Sequence, residues 1–232
     1  LKPKRKANPN FCKSTDLQTI KHYPDLFTEN DNVIITEKIH GSNVRMGWLP
    51  RRRDGIIDTL ILKLWGKYEF VVGSHNVQKT PLSGKGFYGE DVYGQMAKKY
   101  NMAEKTKLYP NLIFFGEIIG PKIQNFTYDL KELDMRIFDI KDIVANKYLN
   151  WDIVKAVCNH LKLPIVPELY EGKFSRETLK ELTKGKSMIA NHMREGVCVK
   201  TNPEQYDDHV GRKVLKSISE DYLLIKDRTD YH

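Results

Sequence analysis

The sequence predicts an α+β fold of mainly antiparallel sheets with flanking helices. Three observations carry this. Short β-branched and aromatic runs with period-two alternation recur along the chain, as in NVIIT, EFVVGS, NLIFF and GVCVK. Helical stretches are fewer, and the strands recur as antiparallel-looking hairpins rather than as alternating βαβ units. Length and composition (232 residues, 40% apolar, no repeats or low-complexity tracts) suit one large domain, or one domain with an appendage.

Taken in order, the first ten residues, LKPKRKANPN, are basic, contain proline and lack an apolar face. Residues 1–15 are expected to be a basic arm or linker, with one domain over 16–232. DLQTIKHYPDLF (16–27) reads as a helix stopping near Pro24. NVIITEKIHG (32–41) is a strand running into a turn, and NVRMGWL (43–49) the next strand of a hairpin. Arg51, Arg52 and Arg53 read as a solvated loop or, with a nucleic-acid substrate, a phosphate contact. Asp54-Gly55 is turn chemistry, followed by alternation that ends in EFVVGS. DVYGQMAKKYNM (91–102) is helical, and NLIFFGEIIGP (111–121) and MRIFDIKDI (135–143) are strands. NWDIVKAVCNHLKL (150–163) is an amphipathic helix with Pro164 after it. SRETLKELTKG (175–185) is a short helix, Ser175 its N-cap and Gly185 its stop. EGVCVKT and RKVLKSI close the list of strands.

Formal charge is +8 and the pI about 9.2. A basic surface either faces solvent or meets a polyanion, because Lys and Arg gain affinity for phosphate backbones by releasing counterions. No apolar run is long enough to span a membrane as a helix, and no signal peptide is visible. Cys12, Cys158 and Cys198 are widely spaced and odd in number, which fits reduced thiols in an intracellular protein; Cys198, inside VCVK, reads as a core filler. The chain begins with Leu, as a processed product or a fragment of something longer would.

Lys38, Glu117, Glu195 and Lys216 each interrupt or border an apolar strand. A lone buried charge is costly, so each should be paired or ligated. Together they suggest an anionic ligand held by lysines and a divalent cation held by Glu117 and Glu195. Lys38 is the best nucleophile candidate; Gly41 would let the backbone approach a phosphate, with Ser42 and Asn43 as short polar groups beside it. His192 and His209 belong to no motif and are expected at the surface.

At these residues the sequence resembles the covalent nucleotidyltransferases in their RNA ligase form. EKIHGSN is similar to motif I, FFGEIIGP to motif III, RIFDI to motif IIIa, REGVCVK to motif IV and RKVLKSISEDYL to motif V. They occur in the family's order across roughly residues 30–225, and five in order are specific where one alone would not be. DNA ligases and capping enzymes usually carry Asp where His40 stands and Arg where Asn43 stands. Motif V usually has two lysines one residue apart, whereas Val214 and Ile218 flank Lys216 here. Ser74, His75 and Asn76 in VVGSHN, with the KSISEDYL ending, look most like the Deinococcus and Naegleria type of RNA ligase, whose members carry an OB domain before the ligase core.

The resemblance implies an ATP-grasp-like ligase core and a three-step reaction with ATP and Mg2+ or Mn2+. Lys38 would form lysyl-AMP, AMP would pass to a 5′-phosphate, and a 3′-hydroxyl would displace it, as in RNA repair. It implies catalytic roles for Lys38, Glu117, Glu195 and Lys216. Nucleotide contacts fall to Glu37, Ile39, Phe138 and Lys200, and contacts to the nucleic-acid end to His40, Asn43 and His75. The partners would be RNA or RNA–DNA hybrid ends, with no membrane, acted on by a monomer in the cytoplasm or nucleus. The alternatives are another lysyl-nucleotidyltransferase (a DNA ligase or a capping guanylyltransferase) and a noncatalytic RNA-binding module; His40 and Asn43 weigh against the first, and the retained lysines and glutamates against the second.

Overall fold

A computed structural model describes residues 7–52, 66–79, 91–124 and 127–224. Arg53 and the Asp54-Gly55 turn lie outside these residues. The fold is α+β and mainly antiparallel, and the chain forms two compact units.

The first unit takes in Leu1–Ser14, Ser42–Ile118 and Leu133–Tyr148. We number elements in chain order. Its strands are β3 (Ser42–Pro50), β4 (Tyr68–Ser74), β5 (Gln78–Lys79), β6 (Leu112–Ile119), β7 (Asp134–Asp142) and β8 (Lys147–Tyr148). They form one sheet in the order β5-β4-β3-β6-β7-β8, with β3 antiparallel to both neighbours. Two helices, α1 (Val92–Lys99) and α2 (Met102–Lys107), replace the single expected one, because Asn101 adopts a left-handed conformation (φ 49°) that ends the first helical run. Phe11, Leu49, Val71, Ile113 and Phe115 form the core on one sheet face. Burying each such side chain contributes about 1.5–3 kcal/mol.

Residues of the described part of the expected arm pack against the first unit. Asn8, Phe11 and Ser14 are buried, and Asn8 Nδ2 donates to Pro50 O at 2.8 Å and to Glu69 Oε1 at 3.0 Å. One aromatic and one amide suffice to dock a segment that lacks periodicity. Arg51 pairs with Glu69 at 3.2 Å and Arg52 donates to Ala7 O, so both are engaged within the protein.

The second unit takes in Thr15–Gly41, Ile119–Glu132 and Leu149–His232. Its strands β1 (Gln18–Thr19), β2 (Asn32–Lys38), β9 (Glu168–Lys173), β10 (Gly196–Thr201) and β13 (Val214–Ile218) make a sheet in the order β1-β13-β10-β2-β9. β11 (Tyr206–Asp207) and β12 (Gly211–Arg212) form a separate ribbon. The helices are α3 (Trp151–His160), α4 (Arg176–Thr183) and the short α5 (Glu220–Leu223). Ser175 caps α4 by accepting from Thr178 N at 3.2 Å, and Gly185 sits at φ 110°, as the sequence predicts.

Two expectations are corrected here. Residues 16–27 are not a helix: Gln18 and Thr19 pair in parallel with Leu215 and Lys216, and only a 3-10 turn (Ile20–His22) follows. Sheet pairing at an open edge outweighs weak helical periodicity. Nor are β2 and β3 a hairpin. A strand has two edges, and those of β2 are filled by β10 and β9.

Candidate active site

Sheet register in the second unit sorts its side chains. Val33 and Ile35 of β2, Val197 and Val199 of β10 and Leu215 of β13 share one face and pack with Leu179 of α4, Phe27 and Phe174. The opposite face therefore carries Thr36 and Lys38, Cys198 and Lys200, and Lys216. Gly196 is opposite Lys38, and Cys198 lies between Thr36 and Lys216. Cys198 is thus no core filler: it is half-buried on the lysine face, where alternation from Val197 and Val199 puts it.

Lys38 ends β2, and its Nζ lies 2.6 Å from Glu195 Oε1; the side chains are 13% and 1% exposed. Glu195 directly precedes β10. At Gly196 a Cβ would come within 2.1 Å of Ser217 O, so only glycine lets β13 pair this closely, and Ser219 N closes the end by donating to Glu195 O at 2.9 Å. His40 is buried, its Nδ1 3.8 Å from Glu195 Oε2, beyond hydrogen-bond reach. His40 N donates to the Tyr128 hydroxyl oxygen at 2.6 Å. Ile39 is buried between them in sequence. Glu37 turns to the other face, where its carboxylate accepts from Ser187 Oγ at 2.5 Å and Met188 N at 2.7 Å. Lys200 is buried with its Nζ 4.2 Å over the Trp151 ring, a cation–π contact.

Residues from three strands meet in the first unit. Asn43 on β3 lies opposite Glu117 on β6. Asn43 Nδ2 donates weakly to Ser14 Oγ at 3.5 Å, and Ser14 Oγ is 3.1 Å from His75 Nδ1. The same face runs from this polar end through Arg45 to the Phe11 core. Arg45 lies 4.0 Å over the Phe11 ring and donates to Ser74 O at 2.8 Å and to Phe11 O. Burial lowers the Arg45 pKa to about 10, which still leaves it charged at neutral pH. Phe138 on β7 stacks with Phe115 of β6 at 6.5 Å and stays half-buried.

A divalent ion finds suitable chemistry at Glu195, whose Oε2 is buried with no hydrogen-bond partner among the described residues. Among the described residues no three His, Cys, Asp or Glu side chains converge on one ion position. An ion there would draw most of its ligands from substrate phosphates and water, as magnesium commonly does.

Several residues of these clusters escaped the sequence reading. Tyr128, Ser187 and Ser14 are ordinary loop residues in the sequence; only contacts distant in the chain reveal them. Arg194 is buried beside Glu195, with Nε and Nη1 lacking hydrogen-bond partners among the described residues. His192, expected at the surface, is half-buried, its ring edge-on to Tyr128 at 4.8 Å.

A family model described as RNA ligase matches residues 31–218. Solved structures of an RNA ligase from Naegleria gruberi share the fold. An apo mutant matches at 25% identity and TM-score 0.73 over 95% of this chain and 60% of that one. A mutant with ATP and Mn matches at 24% identity and TM-score 0.72 over 93% and 58%. The enzyme with PPi matches at 23% identity and TM-score 0.70 over 96% and 64%. The chain therefore spans about three fifths of the length of the structures it matches. No curated protein matches it by sequence.

Proposed function

This chain belongs to the RNA ligase family, and from that premise we propose that it joins RNA ends with ATP through a lysyl-AMP intermediate on Lys38. The observation that carries the reading is the pair Lys38–Glu195, 2.6 Å apart and buried, on the sheet face that also holds Lys216. A buried ion pair adds little to stability, since desolvation offsets most of the attraction, so its presence here suits chemistry better than folding.

In the first step Lys38 Nζ attacks the α-phosphorus of ATP, the N–P bond forms and pyrophosphate leaves. The amine must lose a proton to do so, and Glu195 Oε1 is the acceptor within hydrogen-bond distance. Lys216 offsets the charge that develops on the phosphates. In the second step an oxygen of the 5′-phosphate displaces Lys38 from phosphorus, with His40, Asn43 and His75 binding the polynucleotide end. In the third a 3′-hydroxyl attacks that 5′-phosphate and AMP leaves. A magnesium or manganese ion, held by Glu195 and its own waters, would supply further charge neutralisation at the phosphates. The resemblance implies a metal-binding role for Glu117 and nucleotide contacts for Glu37, Ile39, Phe138 and Lys200.

RNA or RNA–DNA hybrid ends are the proposed partners, met by a monomer. The +8 charge supports a polyanionic substrate. No helix among the described residues is long and apolar enough to cross a membrane. The three free cysteines suit an intracellular setting.

The test is incubation with labelled ATP or GTP and magnesium, followed by denaturing electrophoresis and then by addition of 5′-phosphorylated RNA. Label retained on the protein from ATP alone, and released by RNA, is expected. Label from GTP instead, or none from either, overturns the reading.

A further inference from the structure

β2 ends at Lys38, the last residue of its ladder with β10. His40, two residues on, has left the sheet, so ladder hydrogen bonds do not fix its backbone. The bond that does comes from Tyr128, whose hydroxyl oxygen accepts from His40 N at 2.6 Å. Gln124, from the same segment, donates through Nε2 to Gly41 O at 3.4 Å. On the other side of Lys38, Glu37 is held by Ser187 Oγ and Met188 N.

These two holding segments are themselves joined. Asn191 N donates to Asp129 Oδ2 at 2.8 Å, and the His192 ring packs edge-on against Tyr128. A bridge between Lys186 and Met193 closes the loop that carries Ser187, Met188, Asn191 and His192. Lys38 is therefore flanked by anchors that are tied to each other. Tyr128 is 2% exposed, and it and Asp129 both adopt left-handed conformations (φ 53° and 56°). Such conformations are uncommon outside glycine and persist where the surroundings impose them.

We propose that Tyr128, backed by His192, is a positioning residue that sets His40 for transfer of AMP from Lys38 to the 5′-phosphate. This rests on the ligase reading above. Lys38 is fixed by the end of the ladder and by Glu195, so the loading step does not depend on Tyr128. His40 takes its backbone bond from the Tyr128 hydroxyl instead, and displacements of about 1 Å at a reacting group cost roughly a hundredfold in rate. Tyr128 touches neither ATP nor RNA in this scheme; it acts through the backbone of His40.

Tyr128→Phe tests the proposal, because it keeps the ring against His192 and removes only the acceptor. Wild type and variant are loaded with labelled ATP and magnesium, and the isolated lysyl-AMP protein is chased with a 5′-phosphorylated RNA oligonucleotide. Loading within about threefold of wild type, transfer slowed by about tenfold or more, and a melting temperature within a few degrees are expected. His192→Ala should slow transfer in the same sense. Transfer by Tyr128→Phe within about threefold of wild type, or equal loss of both steps, overturns the proposal. A wild-type protein that takes no label from ATP defeats the ligase reading itself, whereas a wild type that loads and a variant that transfers normally defeat only the role of Tyr128.

Discussion

Lys213 and Lys216, three residues apart, serve opposite sides of one sheet. Lys213 Nζ pairs with Asp31 Oδ1 at 3.0 Å and lies 5.6 Å over the Phe27 ring, on the core side. Lys216 lies opposite Cys198, on the face of Lys38. A regular strand turns successive side chains to opposite faces, so a separation of three cannot put both on one.

Lys216→Ala should slow lysyl-AMP formation by a hundredfold or more, about 3 kcal/mol of lost transition-state stabilisation. Lys213→Ala should leave it within a few-fold. Single-turnover loading at saturating magnesium measures both; severe and comparable losses would make Lys213 the second lysine of motif V after all.

Lys213→Ala should instead cost stability, about 1–2 kcal/mol near neutral pH. Burial raises the Asp31 pKa, but hydrogen bonds from Thr28 and the charge of Lys213 outweigh it and hold it below the usual aspartate range. A depressed carboxylate contributes stability above its unfolded pKa and loses it as pH falls through the folded value. The gap between wild type and variant should therefore close in acid, below the ordinary aspartate range. Urea melts across pH would check this, and a gap that persists there would mean that Lys213 acts through packing on Phe27.

Lys38→Met should abolish the acid-labile AMP adduct. It should also destabilise the protein by about 3–5 kcal/mol, because the buried Glu195 would lose its cationic partner. Adding Glu195→Gln should restore most of that stability without restoring the adduct. Labelling and thermal melts of the single and double variants separate the two effects.

His40→Ala should still load AMP but fail to pass it on, since His40 lies beyond hydrogen-bond reach of Glu195 and follows the nucleophile outside the ladder. A chase of preloaded protein with RNA reads this directly. Equal loss of loading and transfer would make His40 structural.

Gly196→Ala should cost about 2–4 kcal/mol and slow loading, because the new methyl would meet Ser217 O at 2.1 Å and push β13 from β10. A melt and a loading rate both at wild-type level would show that the two strands can part without moving Glu195.

Periodicity alone determined most of the strands, the helix α4 with its Ser175 cap, and the oddity of Lys38, Glu117, Glu195 and Lys216. Alternation is local, and a charge that breaks it is visible without any partner. The motif order added what the family resemblance implies those charges are for. Pairing was not legible. The hairpin expected of β2 and β3 and the helix expected over 16–27 each failed where a distant segment supplied a better partner: β10 and β9, and the edge of β13; nor did the sequence show that Phe11 would pack on the first unit's sheet. Only the tertiary structure decided that Lys38 faces Glu195, that Glu37 turns away to Ser187, and that Tyr128 and His192 stand behind His40. The hydrogen bonds among these contacts join residues 88 to 157 positions apart, and Tyr128, Ser187 and His192 belong to no period and no motif. Local sequence encodes which face a residue takes; only the folded chain decides what waits there.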